Sequence, residues 1–153
     1  MSKDKTNSQD SICRDADLDE EVRVGMEGEW KTASPPNWLM TEGVGSCIAV
    51  AVACITERRA WLVHAPNFHH EASGLVEMLR EAALVAPSGK GLHVWMVGGV
   101  PADGCEAEGN RDRRVVQDLV KQILPHAAAS CEWSECERVE LIFAKNQWQC
   151  IRT

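Results

Sequence analysis

Cys47 and His64 are the two side chains of this sequence best suited to covalent chemistry. Cys47 ends the segment Thr41-Glu42-Gly43-Val44-Gly45-Ser46-Cys47, a glycine-flanked bend at the head of a strongly apolar run, and His64 closes the next apolar run, 17 residues on. A thiol next to an imidazole can lose its proton as it attacks, which makes it a nucleophile. Small residues at such a bend let a substrate carbonyl approach the backbone, where amide N–H groups can stabilise an oxyanion. The competing structural reading makes Cys47 a buried strand cysteine and His64 a core histidine bonded to a carbonyl.

The elements around the pair test whether it can meet. In Ser46–Ile55 the positions Cys47, Ala49, Ala51 and Ala53 alternate with Ile48, Val50, Val52 and Cys54. Both faces are apolar, which predicts a central strand whose small face lies close under another layer. Ala60–His64 is the next strand. Side chains alternate with a period of two, so an even loop puts Cys47 and His64 on one face. If Thr56–Arg59 is the loop, His64 pairs with Ala51 and Cys47 lies roughly 13 Å away at ~3.3 Å per residue. If Ile55–Arg58 is the loop, His64 pairs with Ala49 and Cys47 is its diagonal neighbour, roughly 7–8 Å away between backbones. A bulge or a bend at Gly45–Cys47 is a third route to contact.

The motif Thr-x-Gly-x-Gly-Ser-Cys, then an apolar strand, then His, resembles that of the chemoreceptor glutamine deamidases (the CheD family). A more distant resemblance is to the wider Cys–His deamidase group related to cytotoxic necrotizing factor. The likeness runs loosely from about Leu39 to the C-terminus and is tight at the Cys and His segments. Val97-Gly98-Gly99-Val100 is similar to the family's Gly-Gly step, and Gly109-Asn110-Arg111 with the helix after it to its Arg-Asn region. The resemblance implies Cys47 as nucleophile, His64 as its base and Thr41 as the group that orients the imidazole, through its hydroxyl or its carbonyl. It implies Gly45, Ser46, Gly98 and Gly99 as substrate-side residues, a glutamine-bearing protein such as a bacterial methyl-accepting chemoreceptor as substrate, no cofactor, and a regulatory phosphatase-type partner. Departures are Val44 in place of leucine, Pro66 directly after His64-Ala65, and no Gly-Gly or Gly-Arg element in Ser130–Arg138, where nothing is carried over. Two other readings keep the same residues. One is a catalytically silent regulatory binding protein of the same type; the other is a thiol acyl transfer such as transglutamination or peptide cleavage.

The rest of the chain bounds these readings. With 153 residues, one domain is expected. A net charge of −7 argues against a nucleic-acid surface. No apolar stretch approaches the length of a membrane span and no apolar signal region follows Met1, so no membrane insertion and a cytoplasmic location are expected. The seven cysteines are an odd number, which argues against a disulfide framework. Cys131 and Cys136 form the one close pair, without a second pair to complete a zinc set, so no metal is expected. Cys54 and Cys150 read as core residues, and Cys13 and Cys105 as incidental. His69 and His70 are neighbours that point apart, which suits a loop beside the site better than a metal site. His93 reads as structural.

Residues 1–24 turn acidic in Asp15–Glu21 and predict a disordered tail, leaving 25–153 as the domain. Glu27–Leu39 predicts an irregular lead-in or short strand. Helices are predicted at Glu71–Val85 and Asp112–Leu124, separated by a strand at Leu92–Val97 and a loop at Pro101–Arg111. A terminal hairpin is predicted from Val139–Phe143 and Trp148–Ile151 around Lys145-Asn146. Strands grouped with two helices predict an α+β fold, a mixed or antiparallel β-sandwich core flanked by two amphipathic helices.

Overall fold

The strand Ile48–Cys54 is buried at every position, and its two faces meet different layers. The computed structural model describes residues 20–66 and 73–153. In chain order these form β1 (Glu21–Arg23), β2 (Trp30–Ala33), β3 (Trp38–Val44), β4 (Ile48–Cys54) and β5 (Arg59–Ala65). They are followed by α1 (Ser73–Val85), β6 (Leu92–Gly98), α2 (Glu106–Ile123), β7 (Ala128–Glu132), β8 (Cys136–Ala144) and β9 (Gln147–Arg152). The strands make a four-stranded sheet, β1-β3-β8-β9, and a five-stranded sheet, β2-β5-β4-β6-β7. Both sheets are mixed, because β1 runs parallel to β3 and β7 parallel to β6 while the other pairs are antiparallel. The α+β class expected from the sequence is the class of the fold.

The two faces of β4 explain the layering. Ile48, Val50, Val52 and Cys54 pack with Leu75, Met78, Leu79 and Ala82 of α1 and with Val116 and Val120 of α2. Ala49, Ala51 and Ala53 face the other way and pack with Leu39, Val139, Leu141 and Trp148 of the four-stranded sheet. Both helices therefore cover one face of the five-stranded sheet, and the alanines set a close approach between the sheets. A row of methyl groups leaves no room for a thicker layer.

The structure differs from the expectations in four places. Glu21–Arg23, expected in the tail, is a strand paired with Trp38–Met40, and Val24 after it is buried. The acids there meet a local and a distant cation: Arg23 of β1 lies 2.9 Å from Glu21 and 2.8 Å from Glu42, and Arg138 of β8 lies 3.3 Å from both. Residues 1–19 lie outside the described residues. The lead-in splits into β2 and the start of β3, and β3 runs on through Thr41 and Glu42. Helix α2 starts at Glu106, inside the expected loop, because Gly109 packs there and does not break it. A Cβ on Gly109 would stand 2.5 Å from Cγ of Pro101. Finally, Ala128–Glu132 is an edge strand with every residue exposed, held by its ladder to β6.

The terminal hairpin forms as expected, with Lys145 and Asn146 at φ 55° and 64° in its turn, the left-handed pair that a tight hairpin favours. The expected start of the first helix at Glu71, and His69 and His70, lie outside the described residues. Among the described residues no helix is long and apolar enough to cross a membrane.

Candidate active site

The β4–β5 register decides where the histidine stands. The turn takes Ile55–Arg58, with Arg58 at φ 53°, and His64 pairs with Ala49. His64 thereby shares the inter-sheet face with Ala49, Ala51 and Leu62, and it is fully buried there. Thr41 reaches it from β3, across the gap between the sheets. The Thr41 hydroxyl oxygen lies 2.8 Å from His64 Nδ1 and 2.8 Å from the Val24 carbonyl oxygen. A carbonyl only accepts, so the hydroxyl proton goes to Val24, and the hydroxyl oxygen must accept from the imidazole. Nδ1 therefore carries the proton. Nε2 is left with its lone pair, buried and without a hydrogen-bond partner.

Both ends of this relay are fixed by backbone. The Val24 N–H donates to the Met40 carbonyl at 2.9 Å, and the Gly28 N–H donates to the His64 carbonyl at 3.0 Å. Val24 is the contributor to this hydrogen-bond relay that sequence reasoning missed. It acts through a main-chain oxygen, which leaves no trace in residue type.

Cys47 sits in the bend between β3 and β4 and is half-buried. It stands two residues from Ala49, the partner of His64, and one residue before Ile48, where the ladder begins. Were the alternation of β4 carried one residue back into the bend, Cys47 would be the diagonal neighbour of His64, roughly 7–8 Å between backbones. The structure brings Thr41 and His64 into contact; Cys47 stands in the bend that leads into β4, and His64 Nε2 has no hydrogen-bond partner.

The bend is held from one side. The Gly99 N–H donates to the Cys47 carbonyl at 2.8 Å and the Val100 N–H to the Gly45 carbonyl at 3.0 Å. The carbonyl of one residue and the N–H of the next point opposite ways across a trans peptide. The Ser46 N–H is therefore turned away from Val100. Ser46 is exposed and Gly45 half-buried. Gly98, at φ 95°, permits the close approach: a Cβ there would meet the Cys47 carbonyl oxygen at 2.5 Å. Gly98 and Gly99 thus support the bend through its carbonyls.

Burial acts on the two reactive groups in opposite directions. It pushes the Cys47 thiol above its ordinary 9.0, with the residue's own main-chain N–H pulling the other way. It holds His64 below its ordinary 6.5, opposed by the negative charge of Glu27. The resting pair near neutral pH is thus thiol and neutral imidazole. Chemically, a buried imidazole with a free Nε2 lone pair and a fixed Nδ1–H can accept a proton from a neighbouring group. Among the described residues no group of three or more His, Cys, Asp or Glu side chains is arranged to hold a metal ion.

No protein-family model matches the chain, and no curated protein matches it. Among solved structures, it is similar to the crystal structure of Bacillus licheniformis hypothetical protein YfiH, at 14% identity and a TM-score of 0.40. The similarity covers 69% of this chain and 50% of that one, so the chain spans about half the length of that protein.

Proposed function

We propose that the chain is a protein-glutamine deamidase with Cys47 as nucleophile, His64 as general base and acid, and Thr41 as the residue that fixes the imidazole. The observation that carries this reading is the polarity of the Thr41–His64 relay: Nδ1 is the donor, and Nε2 is buried, unpartnered and free to accept. The resemblance of Thr41–Cys47 to the chemoreceptor glutamine deamidases supports the same reading and suggests a chemoreceptor as substrate. The domain would start at β1, with Glu21, and act in the cytoplasm with a phosphatase-type regulator.

In this mechanism the Cys47 proton passes to His64 Nε2 as the sulfur attacks the side-chain carboxamide carbon of glutamine. The C=O electron pair moves onto oxygen, facing the Ser46 N–H. Collapse of that intermediate expels ammonia, which takes the proton from Nε2, and leaves a thioester. Water then gives a proton to Nε2 and its hydroxide adds to the thioester. Glutamate leaves and the thiol is restored. No cofactor enters the balance. An amine in place of water would give transglutamination with the same residues.

The test is the wild-type chain against Cys47→Ala and His64→Ala, with a chemoreceptor cytoplasmic fragment as substrate. Ammonia release and amide-to-acid conversion of glutamines are read by mass spectrometry. In parallel, 2-chloroacetamide, a minimal carboxamide electrophile, reports Cys47 alkylation. The expected result is alkylation about 100-fold slower without His64, the lower end of what a positioned base contributes, together with conversion lost in both variants. Equal alkylation in wild type and His64→Ala would instead favour a silent protein that binds a regulatory partner.

A further inference from the structure

We propose that Arg113 is a positioning residue for Cys47 and acts through Gly99. This rests on the reading of Cys47 as nucleophile. The connection is two hydrogen bonds long. Arg113 Nε donates to the Gly99 carbonyl at 2.8 Å, and the Gly99 N–H donates to the Cys47 carbonyl at 2.8 Å. Gly99 is thus gripped from both sides, by the helix at its oxygen and by the cysteine bend at its nitrogen.

The grip adds a hold on the oxygen side of a turn whose N–H groups, at Gly99 and Val100, already bond the cysteine bend. Gly98 and Gly99 both adopt positive φ, 95° and 66°, a conformation whose freedom in glycine must be removed by outside contacts. Arg113 supplies one such contact and is itself braced: its guanidinium carbon lies 5.2 Å from the centre of the Trp133 ring. Trp133 also closes over the turn, so that a Cβ on Gly99 would lie 3.3 Å from its Cε3. The side chain of α2 and the aromatic ring after β7 therefore clamp a turn whose other side carries the Cys47 carbonyl. A guanidinium-to-carbonyl bond is charge-assisted and stronger than an ordinary amide bond. Helix α2 is anchored to the core by Val116 and Val120, so the clamp has a rigid base.

The pair Arg113→Met and Arg113→Gln isolates the hydrogen bond. Methionine keeps the apolar stem and has no donor. Glutamine places an amide nitrogen the same number of bonds from the backbone as arginine Nε, without the charge. Two readouts on the full chain are used: 2-chloroacetamide alkylation of Cys47, and amide hydrogen exchange in the segment 45–48. The expected result is that Arg113→Met slows alkylation about tenfold and speeds exchange of that segment about tenfold, while Arg113→Gln stays near wild type. Exchange in Val116–Val120 should be unchanged in both variants, which separates loss of the clamp from loss of the helix. Exchange at 45–48 unchanged in Arg113→Met overturns the proposal. Exchange raised in Arg113→Met with alkylation unchanged, in a chain whose alkylation depends on His64, overturns the positioning role as well. Where His64→Ala alkylates like wild type, the nucleophile reading fails on its own, and the exchange data still decide whether Arg113 holds the bend.

Discussion

Thr41 and His64 belong to different sheets, yet their side chains meet at 2.8 Å, with the threonine hydroxyl committed to the Val24 carbonyl on its other side. The hydrogen bond therefore reports two things at once, the tautomer of the imidazole and the spacing of the sheets.

Thr41→Val keeps the shape and removes the hydroxyl. The Val24 carbonyl and the Nδ1–H are then both left unpaired in a buried site, a loss of about 1–3 kcal/mol of stability. Nothing then favours the Nδ1–H tautomer, so deamidation should fall roughly 10- to 100-fold, part of what a general base contributes. Thr41→Ser should retain most of both. Chemical denaturation and initial rates of ammonia release measure the two effects.

The opposed shifts of the reactive pair set the pH profile. The base must be neutral, so activity should fall on the acid side only below pH 6.5, as His64 protonates at its lowered value. The thiol stays protonated to above 9.0, so the alkaline limb lies beyond that. A broad plateau is expected between them, against the narrower bell of an ordinary pair. Stability carries a matching sign. The folded state resists protonating His64, so stability is full above pH 6.5 and declines as the pH falls toward the lowered value. His93 is held down by burial and then by Arg152, with the same sign. Acid unfolding of His64→Gln in a His93→Gln background isolates the share of His64. The profile of kcat/KM from pH 5 to 10 tests the rest.

Much of this arrangement is legible in the residues, and the remainder has physical reasons for being silent. The two apolar faces of Ile48–Cys54 identify a central strand, and its alanines identify the close layer. The hairpin parity puts His64 on the face of Ala49 and Ala51 whichever loop forms. The choice between the loops is made by Arg58 in a positive φ, a conformation no residue type dictated. β1 and β3 were less readable because their acids are shared between Arg23 and Arg138, which stands 96 positions from Glu42. β7 shows no alternation at all, since every side chain is exposed. The Val24 carbonyl and the Arg113–Gly99 bond involve main-chain oxygens, to which a pattern of side chains is blind.

Gly98→Ala tests the support beneath the nucleophile. The new Cβ would stand 2.5 Å from both the Cys47 carbonyl oxygen and Cγ1 of Val44, at a φ of 95° that alanine resists. Both effects act together, so destabilisation of about 1–3 kcal/mol is expected from the strained backbone alone. Cys47 should be displaced with it, lowering the alkylation rate. Gly43→Ala, at φ 72° with open space around its Cβ, should cost stability through the backbone and leave the Cys47 rate near wild type. The comparison uses thermal unfolding and alkylation kinetics on both variants.

The alanine face of β4 offers the sharpest test of the link between sheet spacing and chemistry. Ala51 is 1% exposed and packs toward Leu39 and Leu141 of the opposite sheet. Ala51→Leu inserts bulk into that gap at about 1–3 kcal/mol, and relief of the strain separates the sheets. The Thr41–His64 bond spans the same gap, so it should lengthen, and activity should fall further than stability alone explains. Val50→Phe is the control. It overpacks the opposite face of the same strand, against α1 and α2, and should lose similar stability while leaving the Thr41–His64 distance intact. Activity normalised to the folded fraction, with the Nδ1–H proton of His64 followed by NMR, separates the two. A fall in activity of equal size in both variants would mean that the spacing of the sheets does not govern the base.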